Sequence, residues 1–395
     1  MRELSQKAKA VKPSVTLALS AQAKQMKAEG KPVIGFGAGE PDFDTPDPIK
    51  EVGIEAIRKG DTKYTPERGT LDIRKAIADK FQKDNGLTYS PEKEIIVSGG
   101  AKFSVYCTLA ALINPGDQVL IPAPYWLSYP EMVGIIGGKS VELKTSKKSG
   151  WKIDPEQLKK KIKPKTKVLI LNSPSNPAGV VYTKEELQVI ADIVVANDLW
   201  VISDEIYEKL TYEGSHVSIA SLGEEIKKRT IVINGVSKDS AMTGWRIGYA
   251  AGSPEVIGAM AAIQSHTTSA PASMCQTAAA AAIRGIALNE NKVMFEAFKK
   301  RRELIVGLLG KIKGISMIQP NGAFYVFVDV HKTYGKGGIT DSLSFCKILL
   351  AEKFVSVVPG GPFGQDDFVR FSFATSEANI NEGVGRFKEF IASHL

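Results

Sequence analysis

The chain has 395 residues, 43% hydrophobic and 24% charged, with a formal net charge of +8. That length exceeds one ordinary domain and suits two sharing an interface, or one large α/β unit with a smaller lobe. The composition is that of a soluble globular protein: no apolar run reaches membrane-spanning length, and the charges scattered through residues 1–30 argue against a secretory signal. Residues 3–29 have helix-forming composition broken at Pro13, which predicts an N-terminal arm and then a helix. A short strand over 32–37 leads into Gly39-Glu40-Pro41. Gly35, Gly37 and Gly39 suggest a dinucleotide loop, but Pro41, Pro46 and Pro48 stop a helix from opening there, so that geometry fails.

The pattern is helical over 45–85, with a break at 60–69 that holds Tyr64. An apolar run at 95–97 then meets Ser98-Gly99-Gly100-Ala101-Lys102 and a helix to 112. A strand, small residues and a helix start together make an anion site, where free amides and the positive helix end meet. Runs at 118–121, 140–143, 167–171, 200–203 and 230–233 alternate with helices. They predict a mostly parallel sheet covered on both faces, with ligands at the carboxyl ends of its strands. The basic run at Lys159, Lys160 and Lys161, with Lys163, Lys165 and Lys167 behind it, has no interleaved aromatics and reads as a solvated helix end, not a nucleic-acid surface. Residues 255–309 read as helices. After Gly314, strands at 322–330 and 368–374 mix with helices at 340–352 and 376–393, a smaller α+β lobe closed by the N-terminal segment. Cys107, Cys275 and Cys346 form neither a disulfide framework nor a zinc site, which suits a reducing cytoplasm.

The strand at 230–233 delivers Ser237-Lys238 into a Gly-flanked turn, with Arg246 eight residues on. Burying an ammonium is costly unless its proton can leave, and an amine of lowered proton affinity can attack an aldehyde. Arg246 would be a fixed cation for an anionic group. Asp204 and Tyr207 alone read as a cap and a core tyrosine, and Trp126 alone as core. Asn176 sits in a turn made rigid by Pro174, Pro177 and Gly179. Arg370 lies on an apolar strand, where it needs a salt bridge or a bound anion.

Ser237-Lys238 with Met242-Thr243-Gly244-Trp245-Arg246-Ile247-Gly248-Tyr249 resembles the cofactor-lysine segment of the class I/II aminotransferases, pyridoxal 5'-phosphate (PLP) enzymes of fold type I. Gly100-Ala101-Lys102, the loop from Asn172 to Gly179, Ser203-Asp204-Glu205-Ile206-Tyr207 and the Arg370 strand resemble further family motifs in the family's order. The resemblance therefore spans nearly the whole chain, and is closest to the bacterial aspartate subgroup. It implies an α/β fold with a mostly parallel seven-stranded sheet flanked by helices and a smaller α+β domain. The implied divisions are an arm and part of the small domain over 1–45, a large PLP-binding domain over 46–290 and a C-terminal small domain over 291–395.

The same resemblance implies that Lys238 holds PLP as a Schiff base and acts as general base and acid, while Asp204 keeps the pyridine protonated. Tyr207 would donate to the ring oxygen. Gly100, Ala101, Lys102, Ser237 and Arg246 would cradle the phosphate, and Trp126 would stack on the ring. Asn176, with a cis bond to Pro177, would meet the ring oxygen and the substrate carboxylate. Gly39 would approach substrate, and Arg370 would bind its α-carboxylate. Tyr64 would cross a homodimer interface to the other subunit's phosphate. A dicarboxylic substrate needs a second cation, because its distal carboxylate would otherwise be desolvated and unpaired; Lys102 and Lys12 resemble the subgroup there. The implied reaction is L-aspartate with 2-oxoglutarate, the alternative being prephenate or aromatic amino acids. A β-eliminating lyase shares the lysine, Asp204 and Arg370 types, and a regulator on this fold would need more residues before Gly39. Asp239 departs from the family's usual pattern, and its charge would either perturb Lys238 or face solvent. No metal, nucleic acid or membrane partner is expected.

Overall fold

The computed structural model describes residues 3–11 and 15–395, so Lys12 and the break at Pro13 lie outside the described residues. A seven-stranded sheet has the spatial order Ile95–Ser98, Gly248–Ala251, Thr230–Gly235, Trp200–Asp204, Thr166–Asn172, Gln118–Ala123, Lys139–Lys144. Adjacent strands are parallel except around Gly248–Ala251, which runs antiparallel to both its neighbours. Side chains alternate between the faces. Val168, Ile170, Ile202, Ile231 and Ile233 pack with Val105 and Leu109 of helix Ala101–Leu112 and with Ile257 and Met260 of helix Pro254–Ser265. Leu169, Leu171 and Val201 pack on the other side against Leu187, Ile190 and Val194 of helix Lys184–Ala196. Covering both faces is what makes these strands read as continuous apolar runs. The strand Gly248–Ala251 is missing from the sequence reading because Gly-Tyr-Ala-Ala carries no β-branched residue.

A second, antiparallel sheet has the order Val358–Pro359, Phe368–Ser372, Tyr325–Asp329, Ser316–Met317. Helices Ser342–Lys353 and Glu377–Ser393 cover it, their Phe345, Leu349, Phe387 and Phe390 packing with Val326, Val328 and Phe371. The strand Ile34–Gly35 pairs with Val355–Ser356, which brings Ile34 and Phe36 into the same core. The N-terminal segment thus closes the C-terminal lobe, as its pattern suggests. The helix Leu288–Leu309 contributes Met294, Phe298, Ile305 and Leu309 to that core. Asp154 caps helix Pro155–Lys161, and the lysines at its end are exposed, a solvated helix end. No helix among the described residues is long and apolar enough to cross a membrane.

Candidate active site

The carboxyl ends of the parallel strands, together with the loop before Gly248–Ala251, open onto a cavity of about 610 Å³. Gly39, Ala101, Lys102, Trp126, Asn176, Asp204, Tyr207, Ser237, Lys238, Arg246 and Arg370 all line it. Residues spread over more than 300 positions meet there: Ala101, Trp126, Asn176 and Lys238 follow, and Asp204 ends, strands of the large sheet that stop at one edge, whereas Arg370 lies on a strand of the small sheet and Gly39 follows Ile34–Gly35.

Lys238 follows the wholly buried strand Thr230–Gly235, and its Nζ donates to the Gly39 carbonyl at 2.5 Å. Burial lowers its proton affinity from 10.5 to about 8; Glu40 opposes that shift, while Arg370 and Arg246 reinforce it. Asp204 ends the strand Trp200–Asp204 and is buried. Its Oδ2 accepts from the Tyr129 hydroxyl at 2.6 Å and its Oδ1 from the Ile206 amide at 3.3 Å. No basic side chain pairs with Asp204 among the described residues, and burial pushes its carboxyl up to about 6. The segment after it is a turn and not a helix, so Asp204 caps no helix. That turn is pinned by Glu205, which accepts from Ser203 at 2.8 Å and Ser218 at 2.7 Å and meets His216 at 2.9 Å. Tyr207 is buried, and its hydroxyl lies 2.8 Å from that of Tyr325.

One end of the cavity is built for an anion. Gly100 precedes the helix Ala101–Leu112 with φ 96°, and a Cβ on it would lie 2.5 Å from Arg246 Nη2. Gly248 lets its strand press against this loop, because a Cβ there would fall 2.1 Å from the Ala101 nitrogen. Arg246 holds a left-handed backbone, φ 56° and ψ 49°, which is costly for a non-glycine residue. Its Nη1 donates to the Thr243 carbonyl at 2.8 Å, and no acid pairs with it among the described residues. The Lys102 ammonium sits 5.0 Å from the centre of the Trp126 ring, also without an acid, and burial, then Arg246, lowers its proton affinity. Trp126 meets Tyr129 edge-on at 5.3 Å.

Arg370 lies on the strand Phe368–Ser372 and is buried. Its Nη1 donates to Asn176 Oδ1 at 2.9 Å and its Nη2 to the Gly37 carbonyl at 3.0 Å, while the buried Nε has no partner. No carboxylate pairs with it among the described residues, which removes the salt-bridge reading; burial lowers its proton affinity. The Tyr325 ring lies 4.3 Å from the guanidinium. Asn176 is presented by a loop whose Asn176–Pro177 bond is cis.

The donor set fits PLP. An aldehyde needs a lysine that sheds its proton, a pyridinium needs a buried carboxylate without a cation, and a phosphate needs unpaired cations at a helix start. Lys238, Asp204 and the Gly100–Arg246 cradle are such groups. Tyr64 is 101% exposed and does not line the cavity of its own chain, and Lys12 lies outside the described residues. Sequence reasoning missed Tyr129, Tyr325, Thr243 and Glu40, which line the same cavity. Glu40 accepts from the Thr243 hydroxyl at 2.9 Å. Its one signal was adjacency to Gly39.

Residues 31–387 match the family model for aminotransferase class I and II. The chain is 46% identical to an aspartate aminotransferase of Bacillus subtilis over 393 residues, 99% of this chain and 100% of the relative. It is 44% identical to an aspartate/prephenate aminotransferase of Nitrosomonas europaea over 400 residues, again 99% and 100%. Among solved structures, the aspartate aminotransferase from Thermus thermophilus with maleate superposes with a TM-score of 0.93 at 41% identity, covering 98% of this chain and 100% of that one.

Proposed function

The chain belongs to the class I and II aminotransferases, enzymes that use PLP, and on that footing we propose that it transfers the amino group of L-aspartate to 2-oxoglutarate by a ping-pong route. Oxaloacetate and L-glutamate are then the products. The observation that carries the reading is Arg370, a buried guanidinium without a carboxylate partner among the described residues, facing the same cavity as Lys238. Lys102, a second cation without an acid, favours a substrate with a second carboxylate.

Lys238 would hold the cofactor covalently, Asp204 would face its ring nitrogen and Tyr207 its ring oxygen. Gly100, Ala101, Ser237 and Arg246 would hold its phosphate. PLP, when bound, supplies an electron-accepting ring that acidifies the substrate's α-carbon. Arg370 binds the α-carboxylate through paired N–H donors, with Asn176 beside it, and so fixes which bond at the α-carbon faces Lys238. The freed Lys238 amine, whose ammonium is disfavoured by burial, would take the α-proton at Nζ as general base and give it back from Nζ as general acid. Trp126 excludes water from one face, and Gly39 leaves room for substrate. We infer a homodimer in which Tyr64, fully exposed on its own chain, completes the partner's phosphate site. A cytoplasmic enzyme with a large domain over 46–290 and a small domain over 291–395 plus the arm accords with the free cysteines and with the separation of the seven-stranded from the four-stranded sheet.

Relatives of similar identity are named for aspartate alone and for aspartate with prephenate, which makes prephenate the second reading of the amino acceptor. An absorbance spectrum before and after adding aspartate without an oxo acid tests the first. Loss of the visible cofactor band with release of oxaloacetate and no ammonia supports it. A band that persists with aspartate but is lost with phenylalanine or arogenate refutes it and moves the substrate. Restoring the band with 2-oxoglutarate or with prephenate then decides the acceptor.

A further inference from the structure

Tyr207 reaches the cavity from the large sheet, whereas Tyr325 opens the strand Tyr325–Asp329 of the small one. Their hydroxyls lie 2.8 Å apart, with Tyr207 only 4% and Tyr325 0% exposed. Neither hydroxyl has another side-chain partner among the described residues. The Tyr325 oxygen also sits beneath Gly39, where an added Cβ would be 3.4 Å away. Each phenol has one proton to donate, so the direction of the shared bond is set by whatever else claims the Tyr207 proton. If that proton points at the cofactor's ring oxygen, the bond between the tyrosines can only be donated by Tyr325.

We propose that Tyr325 is a positioning residue for the amino-group chemistry, its hydroxyl donating to Tyr207 and so strengthening Tyr207 as a donor into the cavity. The proposal rests on the reading of Tyr207 as the ring-oxygen donor. Chained hydrogen bonds polarise one another, and a phenol that accepts a bond donates a stronger one. Burial raises the proton affinity of both phenols, so both keep their protons through the working pH range. The Arg370 guanidinium, 4.3 Å from the centre of the Tyr325 ring, favours proton release from both phenols, so the direction of their bond is left to the other claim on the Tyr207 proton. A donor at the ring oxygen holds negative charge there and draws the proton off the nitrogen that links Lys238 to the cofactor. Weakening that donor raises the proton affinity of this nitrogen.

The test is a pH titration of the visible absorbance of PLP-loaded protein, for wild type, Tyr325→Phe, Tyr207→Phe and the double variant. Tyr325→Phe should raise the midpoint by about half to one pH unit, a roughly three- to tenfold gain in proton affinity, as expected for one net hydrogen bond. Tyr207→Phe should raise it further, and the double variant should match Tyr207→Phe alone. A Tyr325→Phe midpoint within about 0.2 unit of wild type, beside a shifted Tyr207→Phe, overturns the role of Tyr325. A double variant that adds the two shifts overturns it as well, since Tyr325 would then act independently of Tyr207. No shift in Tyr207→Phe overturns instead the ring-oxygen reading of Tyr207. Should Tyr325→Phe fail to load PLP, 3-fluorotyrosine at position 325, a more acidic phenol of nearly the same shape, should lower the midpoint; an unchanged midpoint would refute the relay.

Discussion

Capture of PLP by the apo-protein reads the state of Lys238 directly, because only the uncharged amine attacks the aldehyde. Lys238 has its proton affinity lowered from 10.5 to about 8, chiefly by burial. At pH 7.5 a lysine of pKa about 8 is roughly one quarter uncharged, against about one part in a thousand for an ordinary lysine, a gain of roughly 200-fold. The sign is fixed by the direction of the shift: the reactive form appears as pH rises through about 8 and is saturated above it. Stopped-flow mixing of apo-protein with PLP from pH 6 to 10 should therefore give a capture rate that climbs about tenfold per pH unit and levels near pH 8. Glu40→Gln supplies an internal control, since PLP titrates identically in both samples. Glu40 opposes the lowering, so its loss should bring the plateau to lower pH by about half a unit. A rate still climbing tenfold per unit at pH 10, or a plateau displaced upward in Glu40→Gln, would refute this account of Lys238.

Arg370→Lys replaces a planar fork by a point charge and would remove one of the two parallel donors proposed for the α-carboxylate. The KM for aspartate should rise about 10- to 150-fold, the worth of a hydrogen bond to a charged group, while PLP affinity changes little; equal losses of both would contradict the assignment. Lys102→Gln should weaken kcat/KM for aspartate about 5- to 30-fold and for phenylalanine by less than about twofold. Steady-state kinetics on the two amino donors decides it, and equal losses would mean that Lys102 serves only the phosphate cradle.

Much of the fold was legible because a sheet covered on both faces writes itself as buried apolar runs. Val168 to Leu171 and Ile231 to Ile233 needed no comparison to be read as strands. The meeting of Ala101, Asp204 and Lys238 was legible too, once each was placed at the carboxyl end of its strand. The strand Gly248–Ala251 was not, since it takes its conformation from two neighbours and not from its own residues. Tyr129 and Tyr325 were invisible for a related reason. Each reads as an ordinary core tyrosine, and its importance lies in a hydroxyl aimed at a residue 75 or 118 positions away.

Asp239 shows the opposite error, a charge that sequence adjacency made too prominent. It follows Lys238 directly, which invites the idea of a built-in counter-ion. Its carboxylate instead accepts from Ser240 at 3.2 Å, and burial followed by the nearby Glu208 pushes it up to about 6. Around it, Lys80 pairs with Glu208, and Lys209 reaches Asp84 at 2.8 Å. The groups that shift Lys238 are Glu40, Arg370, Arg246 and Asp204, drawn from four separate segments of the chain. A tight turn sends successive side chains to different sides, so Lys238 enters the cavity while Asp239 joins the charged cluster. The electrostatics of the Lys238 amine are thus set by burial and by what distant segments bring across the cavity, and not by its neighbour in the chain.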